Sequence, residues 1–194
     1  VTGAGELPYV SIFGTKMAEG MSIPTAEKIT AFRRNYLLEL TKMSENRRFV
    51  TDKMPQNFRF IPLICAALPE AKIIHVKRDA KATYWSTYRH YFATKDLGYC
   101  YNLEDIMSYY ELYIDLMQFW QSDYGNKIYQ LNYEKLTENQ ETETRYLIKH
   151  LDLEWDDKCL EPEKNKRNAN TASQQQVRQK VYQGSSLAWR TYEH

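Results

Sequence analysis

Glycine is scarce in this chain of 194 residues: only 7 are present, about half of the usual share of ~7 %. Loops that cradle phosphate groups are commonly built from glycine, because a backbone without side chains can approach the phosphate closely. The shortage is therefore a weak argument against a nucleotide site, and above all against a complete glycine-rich phosphate loop within these residues.

Cysteine is also rare, and its positions form no pattern that would bind metal. The three residues are Cys65, Cys100 and Cys159, odd in number and without Cys-x-x-Cys or Cys/His spacing. This arrangement argues against a disulfide framework and against a structural zinc site. We therefore expect a reducing compartment, the cytoplasm, and no bound metal.

Neither sign of charge dominates, since 26 Lys and Arg residues stand against 25 Asp and Glu, a net charge of +1. Such a balance gives no overall field for holding nucleic acid or an anionic membrane, so a bound anion must be held by a local cluster. No run approaches the ~18 apolar residues of a membrane helix, and the N-terminus lacks the charged-then-apolar pattern of a secretion signal. We predict neither a nucleic-acid partner nor a membrane span.

Hydrophobic residues make up 43 % of the chain, which at this length is enough for one core. Residues 1–24 are predicted to be loop with room for a short helix, and residues 177–193 to be a last helix or loop. The predicted helices cover 26–43, 57–68, 80–93, 103–124 and 137–151, and the predicted strands cover 47–52, 72–76 and 127–133. This alternation predicts an α/β fold, a mainly parallel sheet with helices on both faces.

Charged residues follow the predicted strand 72–76, at the strand end where such sheets bind ligands. Lys77, Arg78 and Lys81 lead directly into a helix, with Ser86 two turns further on. A guanidinium group and the free amides of a helix start together make an anion site, to which Ser86 can add a hydroxyl group. In the alternative, the three cations form a solvated turn and Ser86 is a surface serine, because runs of charged residues usually face water.

Three segments resemble those of sulfotransferases that use 3′-phosphoadenosine 5′-phosphosulfate (PAPS). The run KIIHVKRDAKATYWSTYRHYF resembles the 3′-phosphate-binding segment of that family, which implies that Arg78 and Ser86 bind the 3′-phosphate. LNYEKL is similar to a strand-end element whose tyrosine, here Tyr133, lies near the adenine ring. TDKMPQNF resembles the segment with a catalytic His or Lys, and Lys53 occupies that place. Without the resemblance, two alternatives stand: Tyr133 only packs at the end of the sheet, and Lys53 pairs with Asp52 at the surface.

Two further segments resemble the tyrosylprotein sulfotransferases, and more closely the bacterial sulfotransferase domains often attached to tetratricopeptide repeats. GAGELP is similar to the segment of the catalytic glutamate, which implies that role for Glu6; otherwise Glu6 is a solvated loop acid. TASQQQVRQKVYQGSSLAW resembles the C-terminal segment and places Ser173 on a serine of the nucleotide site. The C-terminal lysine of that branch falls on Ala188, and Arg178 or Lys180 is the candidate to replace its charge.

The resemblance implies one sulfotransferase domain over residues 1–194, with a fold like that of P-loop nucleoside triphosphate hydrolases. The 5′-phosphosulfate loop of the family, a strand followed by a Gly-Thr-Thr type of turn, belongs upstream of GAGELP. The sequence begins at Val1, so we expect the domain to be N-terminally incomplete and to lack its N-terminal strand and this loop. The low glycine count then has the same explanation.

The resemblance also implies an activity, the transfer of a sulfuryl group from PAPS to a hydroxyl group of a peptide, carbohydrate or small molecule. In that reaction Lys53 would stabilise the leaving phosphate oxygen and Glu6 would take the acceptor's proton, with no metal required. Two alternatives stay open. A P-loop-like kinase would need a GxxxxGK[ST] loop and an acidic magnesium ligand, and neither is visible. A catalytically inactive domain of the same fold would bind only a nucleotide or a protein.

Overall fold

The computed structural model describes residues 1–92, 95–165 and 179–193. The chain divides into two compact units, an N-terminal unit of Val1–Ala71 and a C-terminal unit of Lys72–His194. Each unit contains its own pair of parallel strands.

The N-terminal unit is built on the parallel pair β1 and β2. Its elements are β1 (Thr2–Gly5), α1 (Tyr9–Ala18), α2 (Ala26–Met43), β2 (Val50–Asp52), a 3-10 helix (Pro55–Phe60) and α3 (Ile61–Ala67). The short helix predicted within residues 1–24 is confirmed as α1, but the prediction of loop is wrong for Thr2–Gly5, which form the strand β1. Glycine and alanine have low strand propensity, so only the pairing with β2, which is distant in sequence, makes Thr2–Gly5 a strand.

Aromatic side chains of α1 and α2 form much of the core in this unit. Phe13 stacks on Phe32 with ring centroids 4.8 Å apart, and Phe32 in turn packs against Tyr36 at 5.7 Å. The predicted bounds of α2 are confirmed, because the Thr25 hydroxyl accepts a hydrogen bond from the Lys28 N–H and so caps the helix. The same helix faces the core with Tyr36, whose hydroxyl reaches the end of β2.

The C-terminal unit is built on the parallel pair β3 and β4, in register from Ile73 opposite Ile128 to Lys77 opposite Asn132. Its regular elements are β3 (Ile73–Lys77), α4 (Ala80–Tyr88), α5 (Leu103–Tyr124), β4 (Ile128–Asn132), α6 (Tyr133–Glu138) and α7 (Gln140–His150). The described residues of this unit also form five 3-10 segments: Lys95–Tyr101, Gly125–Lys127, Asp157–Leu160, Pro162–Lys164 and Ser185–Tyr192. We refer to Ser185–Tyr192 as the last 3-10 helix.

Four predicted elements in the C-terminal unit have different bounds in the structure. Strand β3 spans Ile73–Lys77 and not 72–76. Helix α4 ends at Tyr88 and not at residue 93. At this end the Arg89 N–H donates to the Trp85 carbonyl. Strand β4 ends one residue early, because the Asn132 side chain caps α6 and draws Tyr133 into that helix. The helix predicted over 137–151 is broken at Asn139 into α6 and α7.

The parallel pairing in both units confirms the α/β class predicted from the alternation of elements. In the described parts of the chain, no helix has the length and apolar character that crossing a membrane requires.

Candidate functional site

Two predicted catalytic residues follow the carboxyl ends of β1 and β2. Gly5 lies opposite Asp52 in the parallel register, and the Lys53 N–H donates to the Gly5 carbonyl at 2.8 Å. Glu6 and Lys53 are the next residues along each strand, so the pairing of the strands brings them to the same edge.

The Lys53 ammonium group forms an ion pair with the Glu6 carboxylate. Both side chains are accessible, with exposed fractions of 60 % for Lys53 and 37 % for Glu6. The alternative in which Lys53 pairs with Asp52 is therefore wrong, and Glu6 is a paired carboxylate instead of a free loop acid. An accessible cation beside an accessible carboxylate can stabilise an anion and accept a proton at one place.

Asp52 faces the interior of this unit and engages both of its carboxylate oxygens. Oδ1 accepts the Leu7 N–H at 3.1 Å, and Oδ2 accepts the Tyr36 hydroxyl at 2.8 Å. Burial raises the pKa of Asp52, and the hydrogen bonds from Leu7, Tyr36 and Asn57 oppose that rise. Asp52 precedes Lys53 in the motif TDKMPQNF, but the motif does not predict these hydrogen bonds.

A second group of predicted residues follows β3 and β4 in the C-terminal unit. Because Lys77 is in register with Asn132, the residues after them, Arg78 and Tyr133, are neighbours at the carboxyl edge. The Arg78 guanidinium lies over the Tyr133 ring, with its central carbon 5.0 Å from the ring centroid. This is the geometry of a cation–π contact.

The last 3-10 helix supplies hydroxyl groups to the same place. Arg78 Nε donates to Ser186 Oγ at 3.2 Å, and its Nη2 donates to the Ser185 carbonyl at 3.0 Å. The Tyr133 hydroxyl and Ser185 Oγ are 2.9 Å apart and share a hydrogen bond. Arg78, Tyr133 and the two serines form what we call the arginine cluster, a cation surrounded by hydroxyl groups and one aromatic face.

Glu134 joins the arginine cluster to the start of α4. Its Oε1 accepts both the Asp79 N–H at 3.1 Å and the Ser186 hydroxyl at 2.5 Å. Partial burial acts to raise the pKa of Glu134, but the bonds from Ser186 and Asp79 and the charge of Arg78 outweigh it and lower the pKa. Glu134 is thus a charged acceptor that holds the last 3-10 helix and the residue after Arg78 together.

Aromatic side chains hold the last 3-10 helix against α4. Lys81 Nζ lies 4.4 Å from the Trp189 ring centroid, and the rings of Trp85 and Tyr192 are 4.4 Å apart. Lys81, which the sequence analysis placed in an anion site with Arg78, therefore contacts an indole ring.

The remaining predicted site residues are placed differently. Ser86 is exposed on α4, and no contact in the described structure joins it to Arg78. Lys180 is exposed. Ser173 and Arg178 lie outside the described residues.

Sequence reasoning missed Ser185, Ser186 and Glu134. Two sequence features could have indicated them: a glycine before two serines in the C-terminal segment, and the acidic residue of LNYEKL. Gly184 has a φ of +85°, a left-handed conformation that favours glycine and turns the chain into the last 3-10 helix. Across the described part of the chain, no three His, Cys, Asp or Glu side chains are grouped as metal ligands would be.

A sequence model of the sulfotransferase family matches residues 15–157 of the chain. An uncharacterized protein of Aquifex aeolicus (strain VF5) is 36 % identical over 160 residues, which are 81 % of this chain and 21 % of that protein. The chain therefore spans about a fifth of the length of this relative. The family match covers well over half of the chain and includes Lys53, Arg78 and Tyr133. With these residues at the carboxyl ends of parallel strands, the chain belongs to the sulfotransferase family.

Proposed function

We propose that the chain transfers a sulfuryl group from PAPS to the hydroxyl group of an acceptor. The observation that carries the proposal is the pairing of Lys53 with Glu6 at the end of β1 and β2, in a chain of the sulfotransferase family. The resemblance to the tyrosylprotein branch and to the bacterial domains linked to tetratricopeptide repeats supports the same assignment.

In this proposal, Glu6 and Lys53 divide the chemistry between them. The acceptor oxygen attacks sulfur in line with the bridging oxygen, its proton passes to the Glu6 carboxylate, and the bond from sulfur to the bridging oxygen breaks. Lys53 donates a hydrogen bond to the bridging oxygen as negative charge develops there. As in phosphoryl transfer, positioning and fixed charge supply most of the catalysis, and no metal is required.

In the proposal, the arginine cluster binds the nucleotide. Arg78 would bind the 3′-phosphate, with Ser86 as a second ligand, and Tyr133 would lie near the adenine ring. The hydroxyl group of Ser185, 3.5 Å from Arg78 Nη2, is a further donor for the same phosphate, whereas the Ser186 hydroxyl already donates to Glu134. Ser173 remains the proposed serine of the nucleotide site, and Arg178 or Lys180 the replacement for the lysine that falls on Ala188.

The test is calorimetric binding of adenosine 3′,5′-bisphosphate and of adenosine 5′-phosphate to the full-length protein. We expect Arg78→Ala to weaken bisphosphate binding about 30-fold, the ~2 kcal/mol typical of removing a charge that pairs with a phosphate. Binding of adenosine 5′-phosphate, which lacks the 3′-phosphate, should change less than threefold (~0.6 kcal/mol). The exposed Arg34 of α2 supplies the control variant Arg34→Ala, which should leave both affinities unchanged.

Two results would contradict the proposal. One is a wild-type protein that does not bind the bisphosphate. The other is an Arg78→Ala variant that weakens both nucleotides equally, because the 3′-phosphate would then not be what Arg78 recognises.

A further inference from the structure

The carboxylate of Asp52 has a role that its neighbour in sequence does not explain. Lys53 follows Asp52 directly, yet its ammonium group lies on Glu6, and both Asp52 oxygens are used inside the N-terminal unit. A half-buried carboxylate costs free energy unless its hydrogen bonds are satisfied, so its partners indicate what it holds in place.

The first partner, Leu7, follows an irregular part of β1. The register shifts between Gly3 and Gly5, which leaves one extra residue in β1 opposite β2. Gly5 then adopts a φ of +82°, a left-handed conformation that turns the chain as it leaves the strand. Glu6 lies within this turn, between the left-handed Gly5 and Leu7, whose side chain is buried in the core.

The Leu7 N–H is the backbone donor that fixes the far side of this turn. On the near side, the Gly5 carbonyl accepts the Lys53 N–H. On the far side, the Leu7 N–H donates to Asp52 Oδ1. Glu6 is therefore held from both sides by consecutive residues of the segment that carries Lys53.

The second partner, Tyr36, fixes the direction of the Asp52 carboxylate. Its ring is buried on α2, and its hydroxyl donates to Oδ2. Burial and the bond to Asp52 raise the pKa of Tyr36, so the hydroxyl keeps its proton and remains a donor. The side chain of Asp52 is thus anchored from α2 and cannot turn toward Lys53 without breaking this bond.

We propose that Asp52, oriented by Tyr36, is a positioning residue that holds the Glu6 turn so that the Glu6 carboxylate meets the Lys53 ammonium group. The consequence for catalysis rests on the proposed function: the base and the cation that stabilises the leaving group are aligned before substrate binds. Asp52 itself does not touch the reacting atoms, because both of its oxygens are engaged.

A structural test uses the reactivity of Lys53 and needs no enzymatic activity. Competitive labelling with acetic anhydride, read by mass spectrometry, gives the acylation rate of Lys53 relative to the exposed Lys16 of α1. A carboxylate paired with the ammonium group slows acylation. The variant Glu6→Gln lacks this carboxylate and therefore gives the reference acylation rate of an unpaired Lys53. Asp52→Ala should raise the Lys53 rate about threefold toward that value, the factor corresponding to an exposed ion pair of ~0.6 kcal/mol.

Two further variants keep the test decisive if Asp52→Ala does not fold. Asp52→Asn can still accept from Leu7 through its oxygen and donate to the Tyr36 oxygen through its amide, so it should label at the wild-type rate. Tyr36→Phe removes one hydroxyl and should raise the Lys53 rate in the same direction as Asp52→Ala. Wild-type labelling in Tyr36→Phe and in a folded Asp52→Ala would overturn the proposal.

Steady-state kinetics test the catalytic consequence. Misplacing a reacting group by about 1 Å costs up to ~10²-fold, so we expect kcat of Asp52→Ala to fall about 10- to 100-fold, with KM for PAPS within twofold of wild type. Asp52→Asn should restore kcat. Raised labelling with unchanged kcat would overturn this part alone. A wild-type protein without sulfuryl transfer would contradict the proposed function, and the labelling would still decide the role of Asp52.

Discussion

Lys53 and Glu6 form an accessible ion pair, and pairs of that kind add only about 0–1 kcal/mol to stability. The ion pair itself therefore adds little to the free energy of folding. Under the proposed function, these two side chains contribute to the rate of sulfuryl transfer. Their substitution should therefore change kcat much more than it changes the free energy of unfolding.

We predict that Lys53→Met lowers kcat for sulfuryl transfer by ~10²–10³-fold, the usual loss when one donor to a developing oxyanion is removed. Glu6→Gln should lower kcat by ~10²–10⁴-fold, the range of general base catalysis. Steady-state kinetics with PAPS and an accepted hydroxyl compound measure both. Lys16→Met, an exposed lysine of the same unit, is the control, and wild-type kcat in Lys53→Met would refute the assignment.

Some residues of the candidate site were predictable from the sequence, and others were not. Glu6 and Lys53 are 47 positions apart, yet the motifs indicated both, and the structure brings them together. Asp52 was missed because its role depends on hydrogen bonds from Leu7 and Tyr36, which lie 45 and 16 positions away, and no sequence pattern marks those bonds. Ser185 and Ser186 were missed for the same reason, since their partner Arg78 is more than 100 positions away.

At the scale of elements, the two longest helices were predicted best. Helices α2 and α5 have the predicted bounds, because Thr25 and Asn102 cap them and each has a clear apolar period. Strand β1 was not predicted, since its residues favour no strand without β2. The end of α4 at Tyr88 was not predicted either, because no glycine or proline marks it.

Glu134 links the last 3-10 helix to the start of α4, and removing it should release that helix. We predict that Glu134→Ala increases hydrogen exchange in residues 185–192 about 10- to 150-fold at pH 7, since a hydrogen bond to a charged group contributes ~1.5–3 kcal/mol. Exchange measured by mass spectrometry on that peptide is the readout. Glu138→Ala, an exposed glutamate of the same helix α6, should leave exchange unchanged.

The pH dependence of this link follows from the lowered pKa of Glu134. A carboxylate with a lowered pKa contributes stability above its ordinary value of 4.5, and that stability is lost as pH falls through the lowered pKa. Protection of residues 185–192 should therefore persist from pH 7 to about 4.5 and weaken only in stronger acid. Loss of protection already near pH 6 would show that another group controls the link.

His75 in β3 should make the C-terminal unit sensitive to milder acid. Its Nε2 lies 2.5 Å from the Tyr113 hydroxyl, and burial followed by the charge of Lys77 lowers its pKa from 6.5. The neutral ring is favoured in the folded state, so its contribution to stability is complete above pH 6.5 and is lost as pH falls through the lowered pKa.

We therefore expect the urea midpoint of unfolding to fall between pH 7.5 and pH 5, and His75→Asn to reduce this slope. The variant His90→Asn, in the same unit, is the control and should keep the wild-type slope. Equal slopes for His75→Asn and wild type would mean that other groups account for the acid sensitivity.

At the scale of the whole molecule, one rule links both units. Each unit contains a parallel strand pair, and residues that the sequence predicts to belong to the site follow the carboxyl ends of each pair. The rule was available from the sequence, because alternating strands and helices imply parallel pairing. The division into two compact units was not, since neither composition nor a linker marks the boundary at Ala71.

The most direct test of the central claim is transfer of radiolabelled sulfate from PAPS by the full-length protein to a panel of peptide, carbohydrate and small-molecule hydroxyl compounds. We predict a labelled product formed in equal amount with adenosine 3′,5′-bisphosphate, at a rate that Lys53→Met lowers ~10²–10³-fold. Bisphosphate binding without transfer to any acceptor would contradict the claim and indicate a domain that only binds the nucleotide. Transfer that Lys53→Met leaves unchanged would contradict the site.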